Sequence, residues 1–403
     1  MSSSGSRIYD GSTTASSSDL TLSNLVGSET LTLSGNGTLG NANVGTNKSV
    51  ILNTLSIADG TNGGLAANYN LIGGTHQLTV TQRVVNATGT RLYDATSNAN
   101  SSDLSLGNLV GSETLVLSGT GTLADKNVAT NKTIGVGTLS LANGGSGGLA
   151  ANYTLSGGTH LLTINQKPVL ITGTRTYNAT TTTLSTNLNI GGLVGGESIS
   201  LTGQGTIADK NVGAGKTITL NTLTLNDGAN PTHLASNYTF TGGTHTFDVT
   251  KRNLTFSGTK VYDGDTTANV SDNEVSIQNL VTVGGVTEGL RFTGTGIAAS
   301  KDVIVGNTTL SQNTLAIADK THAASNYTFS GATMTFNVTE KSIDTNFARV
   351  YDGTNVVSNS SFSSATGLIG SETITMASGS GTVACLLYTS DAADEGLGVD
   401  LGG

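Results

Sequence analysis

A Tyr followed by Asp or Asn returns five times along this chain, at Tyr9-Asp10, Tyr93-Asp94, Tyr177-Asn178, Tyr262-Asp263 and Tyr351-Asp352, with spacings of 84, 84, 85 and 89 residues. No other feature restricts the fold as much, because a sequence that repeats itself folds as copies of one unit. A second marker, Asn-Tyr, stands at Asn68-Tyr69, Asn152-Tyr153, Asn237-Tyr238 and Asn326-Tyr327, following the first by 60, 60, 61 and 65 residues. Echoes lie between them. Leu25-Val26-Gly27-Ser28-Glu29 returns as Leu109-Val110-Gly111-Ser112-Glu113, and altered as Leu193-Val194-Gly195-Gly196-Glu197. Ala124-Asp125-Lys126-Asn127-Val128 returns as Ala208-Asp209-Lys210-Asn211-Val212. The 403 residues therefore hold four near-complete units and a truncated fifth.

Within a unit the apolar residues alternate with period two, the pattern of a strand with one buried face. In Thr75–Thr81, His76, Leu78 and Val80 point one way and Gln77, Thr79 and Thr81 the other; His245, Phe247 and Val249 repeat the pattern, as do Met334, Phe336 and Val338. Gly-rich breaks such as Gly35-Asn36-Gly37 and Gly73-Gly74 separate such runs, and no 3.6-residue apolar stripe is present. Each unit is expected to hold six to eight short strands. At about 84 residues it is too long for a leucine-rich coil and close to the size of a β-sandwich module. The expected fold is all-β, a tandem array of small antiparallel β-sandwich-like modules, with a continuous β-solenoid as the alternative. Boundaries are expected where a strand ends in a polar cluster, giving repeats 1–82 (lacking its first strand), 83–166, 167–251 and 252–339, and a truncated repeat 340–384. Connections of nearly zero length predict restricted motion between modules and an extended rod.

Composition excludes several classes. Only 11% of residues are charged and the net charge is −9, with Lys and Arg thinly spread, so a nucleic-acid partner is not expected. No apolar run approaches the 18 residues of a membrane span. The start, Met1-Ser2-Ser3-Ser4-Gly5-Ser6, lacks the basic and apolar parts of a secretion signal, and the chain reads as a fragment of a longer protein. Residues 385–403 fit no repeat. Cys385–Glu395 and Val399–Gly403 resemble the in-frame translation of a transposon-end sequencing adapter, so this tail is read as non-native. Setting it aside removes the single Cys, and with Asp391, Asp394, Glu395 and Asp400 gone the charge becomes −5.

Val261-Tyr262-Asp263-Gly264-Asp265-Thr266-Thr267-Ala268, the Ala-Asp-Lys-Asn-Val segment and the closing Asn-Tyr-Thr strand resemble the YDG domain. That domain occurs in tandem in large bacterial surface proteins of the filamentous-haemagglutinin type, and the resemblance covers residues 7–384. It implies a stalk or repeat role at the cell surface or in a secreted adhesin, with host or surface glycans or proteins met through the parent. The sequence departs from the pattern at Ala95, Ala179 and Asn178, and at Lys301-Asp302.

Each candidate site also has a plainer structural role. Asp10, Asp94, Asp263 and Asp352 could be calcium ligands, but calcium takes six to eight oxygens, each acid stands alone, and repeat three has neutral Asn178. A turn explains them better. The neighbouring Tyr is expected at the edge of the core. His76, His160 and His245 share one position but lie in different modules, and Met334 replaces them in repeat four, so a structural His is expected. His233 and His322 have no acid or Cys at useful spacing. Gly35, Gly37 and Gly40 match G-x-G-x-x-G without the βαβ context of a dinucleotide site. No nucleophile elbow or paired carboxylates stand out, so no catalytic, cofactor or metal residue is expected. Sequons such as those at Asn47, Asn86, Asn131, Asn152 and Asn178 leave glycosylation open. Two functional readings follow. One is a non-catalytic stalk that spaces and presents a binding region, and the other is a repeated low-affinity glycan- or surface-binding module acting by avidity.

Overall fold

The computed structural model describes residues 1–304, 308–329 and 334–383; the adapter-like tail at 385–403 lies outside the described residues. Two units contain the chain. The first comprises residues 1–173, 182–208 and 215–247, the second residues 174–181, 209–214 and 248 onward.

In unit one, repeat one has eight strands: β1 (Ser2–Ile8), β2 (Thr14–Ser16), β3 (Leu20–Ser23), β4 (Leu31–Ser34), β5 (Asn36–Leu39), β6 (Gly45–Ile51), β7 (Ser56–Asp59) and β8 (His76–Thr81). Six form one curled sheet in the order β2-β5-β6-β8-β1-β3, and β4 pairs with β7 as a separate ribbon. The alternation read in the sequence is the alternation observed: His76, Leu78 and Val80 are buried, while Gln77 and Thr79 are half-buried and Thr81 exposed. Ala15, Leu20, Leu39, Val50, Leu55 and Leu71 of the same repeat are buried as well. Leu31, Leu33 and Ile57 of the ribbon are half-buried. Gly5 lets β1 and β3 approach, since a Cβ there would lie 1.8 Å from Asp19 O. Gly89, Gly173 and Gly258 recur at the same point, with a Cβ falling 1.8–2.3 Å from Asp103 O, Asn187 O and Glu274 O.

The fold is thus all-β with separate small modules, as expected. One pairing is not antiparallel. The first and last strands, β1 and β8, run parallel from Ser3↔His76 to Ile8↔Thr81. Period-two alternation is the same for either direction, so the sequence pattern is blind to this choice. The consequence is topological: the chain enters a repeat at one end of the parallel pair and leaves at the other.

Repeat two reproduces the plan. Asn86–Leu92 lies between Leu104–Gly107 and Leu161–Asn165, parallel to the latter, and Leu115–Ser118 pairs with Ser140–Asn143. Repeat three pairs Leu170–Gly173 with Leu188–Gly191 and Thr182–Leu184 with Gln204–Thr206.

In unit two, repeat four has the six-stranded order of repeat one, with Thr255–Val261 parallel to Met334–Thr339. Its longer spacing is absorbed by an added hairpin, Thr282–Val283 against Val286–Thr287, turning on Gly284 and Gly285 at φ 58° and 81°. The truncated fifth repeat keeps two pairs, Asp344–Phe347 with Phe362–Thr366 and Val356–Ser358 with Ser380–Thr382.

Candidate functional site

The repeated landmarks converge where one repeat meets the next, and Tyr9, Tyr93, Tyr153, Tyr177, Tyr238 and Tyr327 are buried there. In unit one, the Leu-Val-Gly-Ser-Glu segment closes a turn in which Glu113 N–H donates to Val110 O at 3.0 Å. Tyr153 ends a short 3-10 turn, Ala150–Asn152, whose Ala150 N–H is capped by Asn143 Oδ1 at 2.9 Å. Its hydroxyl accepts from Val110 N–H at 3.0 Å and donates to Glu113 Oε2 at 2.6 Å. The second carboxylate oxygen serves the preceding repeat: Tyr9 Oη donates to Glu113 Oε1 at 2.6 Å. The Tyr9 and Tyr153 rings pack edge to face with centroids 5.4 Å apart.

The same Tyr–Glu–Tyr set joins repeats two and three, with Tyr93 and Tyr238 donating to Glu197 at 2.6 and 2.8 Å and rings 5.5 Å apart. In unit two, Tyr177 and Tyr327 donate to Glu288 at 2.8 and 2.6 Å, again with rings 5.5 Å apart. Tyr262 bonds Glu372 of repeat five. At Glu29, among the described residues, the carboxylate is bonded by Tyr69 of the same repeat alone, and Val26 beside it is 69% exposed.

Cations complete two of the sets. Lys126 pairs with Glu197, and Lys210 Nζ lies 3.4 Å from Glu288. At the first junction Ala42 occupies the Lys position. Burial pushes the Glu197 carboxyl up, but Lys126, Tyr93 and Tyr238 outweigh it and hold it below its usual range; Glu288 is lowered likewise, by Tyr327, Tyr177 and Lys210. The tyrosines move the opposite way. Burial first, then the neighbouring carboxylate, pushes Tyr9 and Tyr327 up to about 12. Tyr93 and Tyr177 are raised for the same reasons.

A second clasp uses the Asn of each Asn-Tyr pair. Asn152 Oδ1 accepts from Val44 N–H at 2.9 Å and its Nδ2 donates to Asn43 Oδ1 at 3.1 Å. Asn237 holds Val128 and Asn127 at 2.9 and 3.1 Å, and Asn326 holds Val212 and Asn211 at 2.8 and 2.9 Å. All three asparagines are buried. A buried amide bonded on both sides fixes register between repeats, because a slip would leave polar groups without partners.

Other candidate residues fall into local roles. Asp10, Asp94, Asn178, Asp263 and Asp352 each accept the N–H two residues on, at 2.9–3.2 Å, so acid and amide serve the turn alike. The residue after each has φ between 61° and 84°, whether Gly11, Ala95, Ala179, Gly264 or Gly353. Arg7, Arg91, Lys260 and Arg349, three residues earlier, pair with the acids. Among the described residues no group of three or more His, Cys, Asp or Glu could hold a metal. His160 accepts from Ala87 N–H at Nδ1 (3.0 Å) and meets Leu155 O through Nε2 (2.9 Å), which makes it the Nε2–H tautomer. His76 and His245 meet Leu71 O and Phe240 O in the same way.

His233 Nδ1 accepts from Ser198 N–H at 3.1 Å. His322 does have an acid neighbour, contrary to expectation: its Nε2 is 3.7 Å from Glu288, brought in from the inserted-hairpin loop. Gly35 is a turn residue at φ 84°, and Gly37 lies in β5 beneath Val50. Of the sequons, Asn152 is buried with its amide engaged, whereas Asn47 and Asn131 are exposed.

Residue-by-residue reading missed the role of the glutamates and of Lys126 and Lys210. Their signal was the recurrence of Glu29, Glu113 and Glu197 at the end of one echo. Comparison with known proteins agrees with the repeat plan. The YDG domain family matches residues 2–78, 74–160 and 162–246. No curated protein is significantly similar to the chain. With more than half its length matched in three consecutive copies, the chain belongs to the YDG domain family.

Proposed function

We propose that the chain is a non-catalytic repeat segment of a large exported bacterial adhesin, spacing and presenting a binding region at the cell surface. The observation that carries this reading is the use of the repeated polar landmarks. Tyr, Glu, Lys and Asn, the side chains a ligand site would need, are consumed in holding one repeat to the next. Selection for coupling between modules accounts for their spacing, and the resemblance to haemagglutinin-type surface proteins supplies the context. The sparse cations, among them Lys126 and Lys210 paired with glutamates, favour a partner other than nucleic acid, and no helix among the described residues is long and apolar enough to cross a membrane.

The test is to delete repeats two and three from the parent protein. Adhesion by cells should fall while the purified parent's ligand affinity stays the same, and an unchanged adhesion would refute the spacer role. A second reading has one observation in its favour. The outer face of the first sheet is hydroxyl-rich and uncharged, with Ser4, Ser6, Thr21 and Ser23 exposed and Thr79 half-buried, and Thr88, Thr90, Ser105 and Thr163 repeat the arrangement. Such a face could hold a glycan weakly in each repeat. A glycan array probed with the whole chain decides: binding lost on Thr90→Ala and Thr163→Ala supports it, and uniformly absent binding removes it.

A further inference from the structure

We infer that repeats one, two and four are mechanical clamps whose parallel first and last strands carry tension in shear. The inference rests on the spacer reading, which places the chain under pull between two anchor points. In repeat one, β1 leads in and β8 leads out, and they pair in parallel over six register positions from Ser3↔His76 to Ile8↔Thr81. Tyr9 N–H continues the ladder to Thr81 O at 2.9 Å, and Ser3 N–H to Thr75 O at 3.1 Å closes its other end. Tension applied through the chain draws β1 toward its N-terminal end and β8 toward its C-terminal end. The two strands must then slide along each other, and every bond between them is strained together.

An antiparallel entry and exit pair would leave from the same end and open like a zipper, one bond at a time. Because each backbone bond is individually modest, the arrangement of loading decides resistance more than bond count does. Repeat two has the same pair over five positions, Thr88↔Leu161 to Leu92↔Asn165, and repeat four over six, Phe256↔Met334 to Val261↔Thr339.

Force passes onward without a slack linker. The segment after β8, Arg83–Val84, pairs in parallel with Tyr153–Thr154 before Asn86–Leu92 begins the next clamp. Arg252–Asn253 does the same against Tyr327–Thr328 in unit two. The Tyr9–Glu113 bond lies at the exit end of the first clamp, directly beyond β1, and holds the next repeat there.

The test is single-molecule force spectroscopy on the full chain in two loading geometries. In the first it is held by its termini. In the second, with Cys385→Ser, handles are attached at Thr32→Cys and Ala58→Cys, exposed paired positions on the β4/β7 ribbon, which is pulled apart sideways. Forced rupture reports the unfolding rate under load, not equilibrium stability. Terminal pulling is expected to give discrete events, each releasing roughly 250–270 Å for an 84-residue repeat, at several times the force that opens the ribbon. Gradual extension, or rupture at forces no higher than the ribbon's, would overturn the clamp. A chain that yields easily yet passes the deletion test loses the clamp and keeps the spacer role.

Discussion

Replacing Glu197 with Ala is expected to destabilise the array by about 3–5 kcal/mol, the range for breaking a buried ion pair by removing one partner. Its carboxylate is buried and takes two phenol bonds, from Tyr93 at 2.6 Å and Tyr238 at 2.8 Å, together with Lys126. Two hydrogen bonds to a charged group contribute about 1.5–3 kcal/mol each. Part of that is offset, since Glu197 no longer has to be desolvated and the Lys126 side chain, 24% exposed, can regain water. Glu29→Ala is the internal comparison: among the described residues its carboxylate serves Tyr69 alone, beside exposed Val26, and about 1 kcal/mol is expected.

The assay is urea unfolding followed by fluorescence of the 10 tyrosines in a chain without Trp. Arrays behave as a sum of repeat and interface terms, so a weakened junction should also split the transition. Hydrogen exchange at Val194, whose N–H donates to Tyr238 Oη at 3.3 Å, gives a local readout. Crossing Tyr93→Phe with Glu197→Gln isolates the bond between repeats, and a coupling of about 0.5–3 kcal/mol is expected for groups in contact. Equal losses from Glu29→Ala and Glu197→Ala, or additive effects in the cycle, would refute the junction as the seat of coupling.

Asn237→Ala removes the acceptor of Val128 N–H and the donor to Asn127, and should cost about 1–3 kcal/mol with faster exchange at Val128. Ala95 and Ala179 sit at φ 63° and 61°, where a Cβ costs about 1–2 kcal/mol, so Ala95→Gly should raise Tm in calorimetry once the greater chain entropy of Gly is subtracted. Gly264→Ala should lower it, because φ is 84° there and a Cβ would stand 2.8 Å from Ile369 Cγ2. Stability should also depend on pH at both ends. Tyr9, Tyr238 and Tyr327 bind their protons more tightly when folded, with values raised from 10.0 to about 12. Their contribution is therefore whole below pH 10 and lost between 10 and about 12. Glu197 and Glu288 are lowered, so their contribution is whole above 4.5 and lost as pH falls below it. Urea midpoints measured across pH check both limits, and a midpoint unchanged between pH 9 and 12 would contradict the first.

Much of this protein is legible without coordinates. The period follows from the recurrence of Tyr-Asp and Asn-Tyr, and the strands from alternations such as His76, Leu78 and Val80 against Gln77, Thr79 and Thr81. The turn role of Asp10 and its counterparts follows from the local chemistry of a short polar side chain next to a residue with positive φ. These are local properties, written within a few residues of where they act. Partnership across distance is settled by tertiary contacts alone. Whether β1 meets β8 in parallel has no trace in an alternation that reads the same in both directions. Tyr93 and Glu197 stand 104 residues apart, and a hydroxyl and a carboxylate carry no periodic signature that would pair them. They meet because parallel end strands carry each module's exit to the next one's entrance, and because burial at that contact leaves a phenol and a carboxylate no better partner than each other.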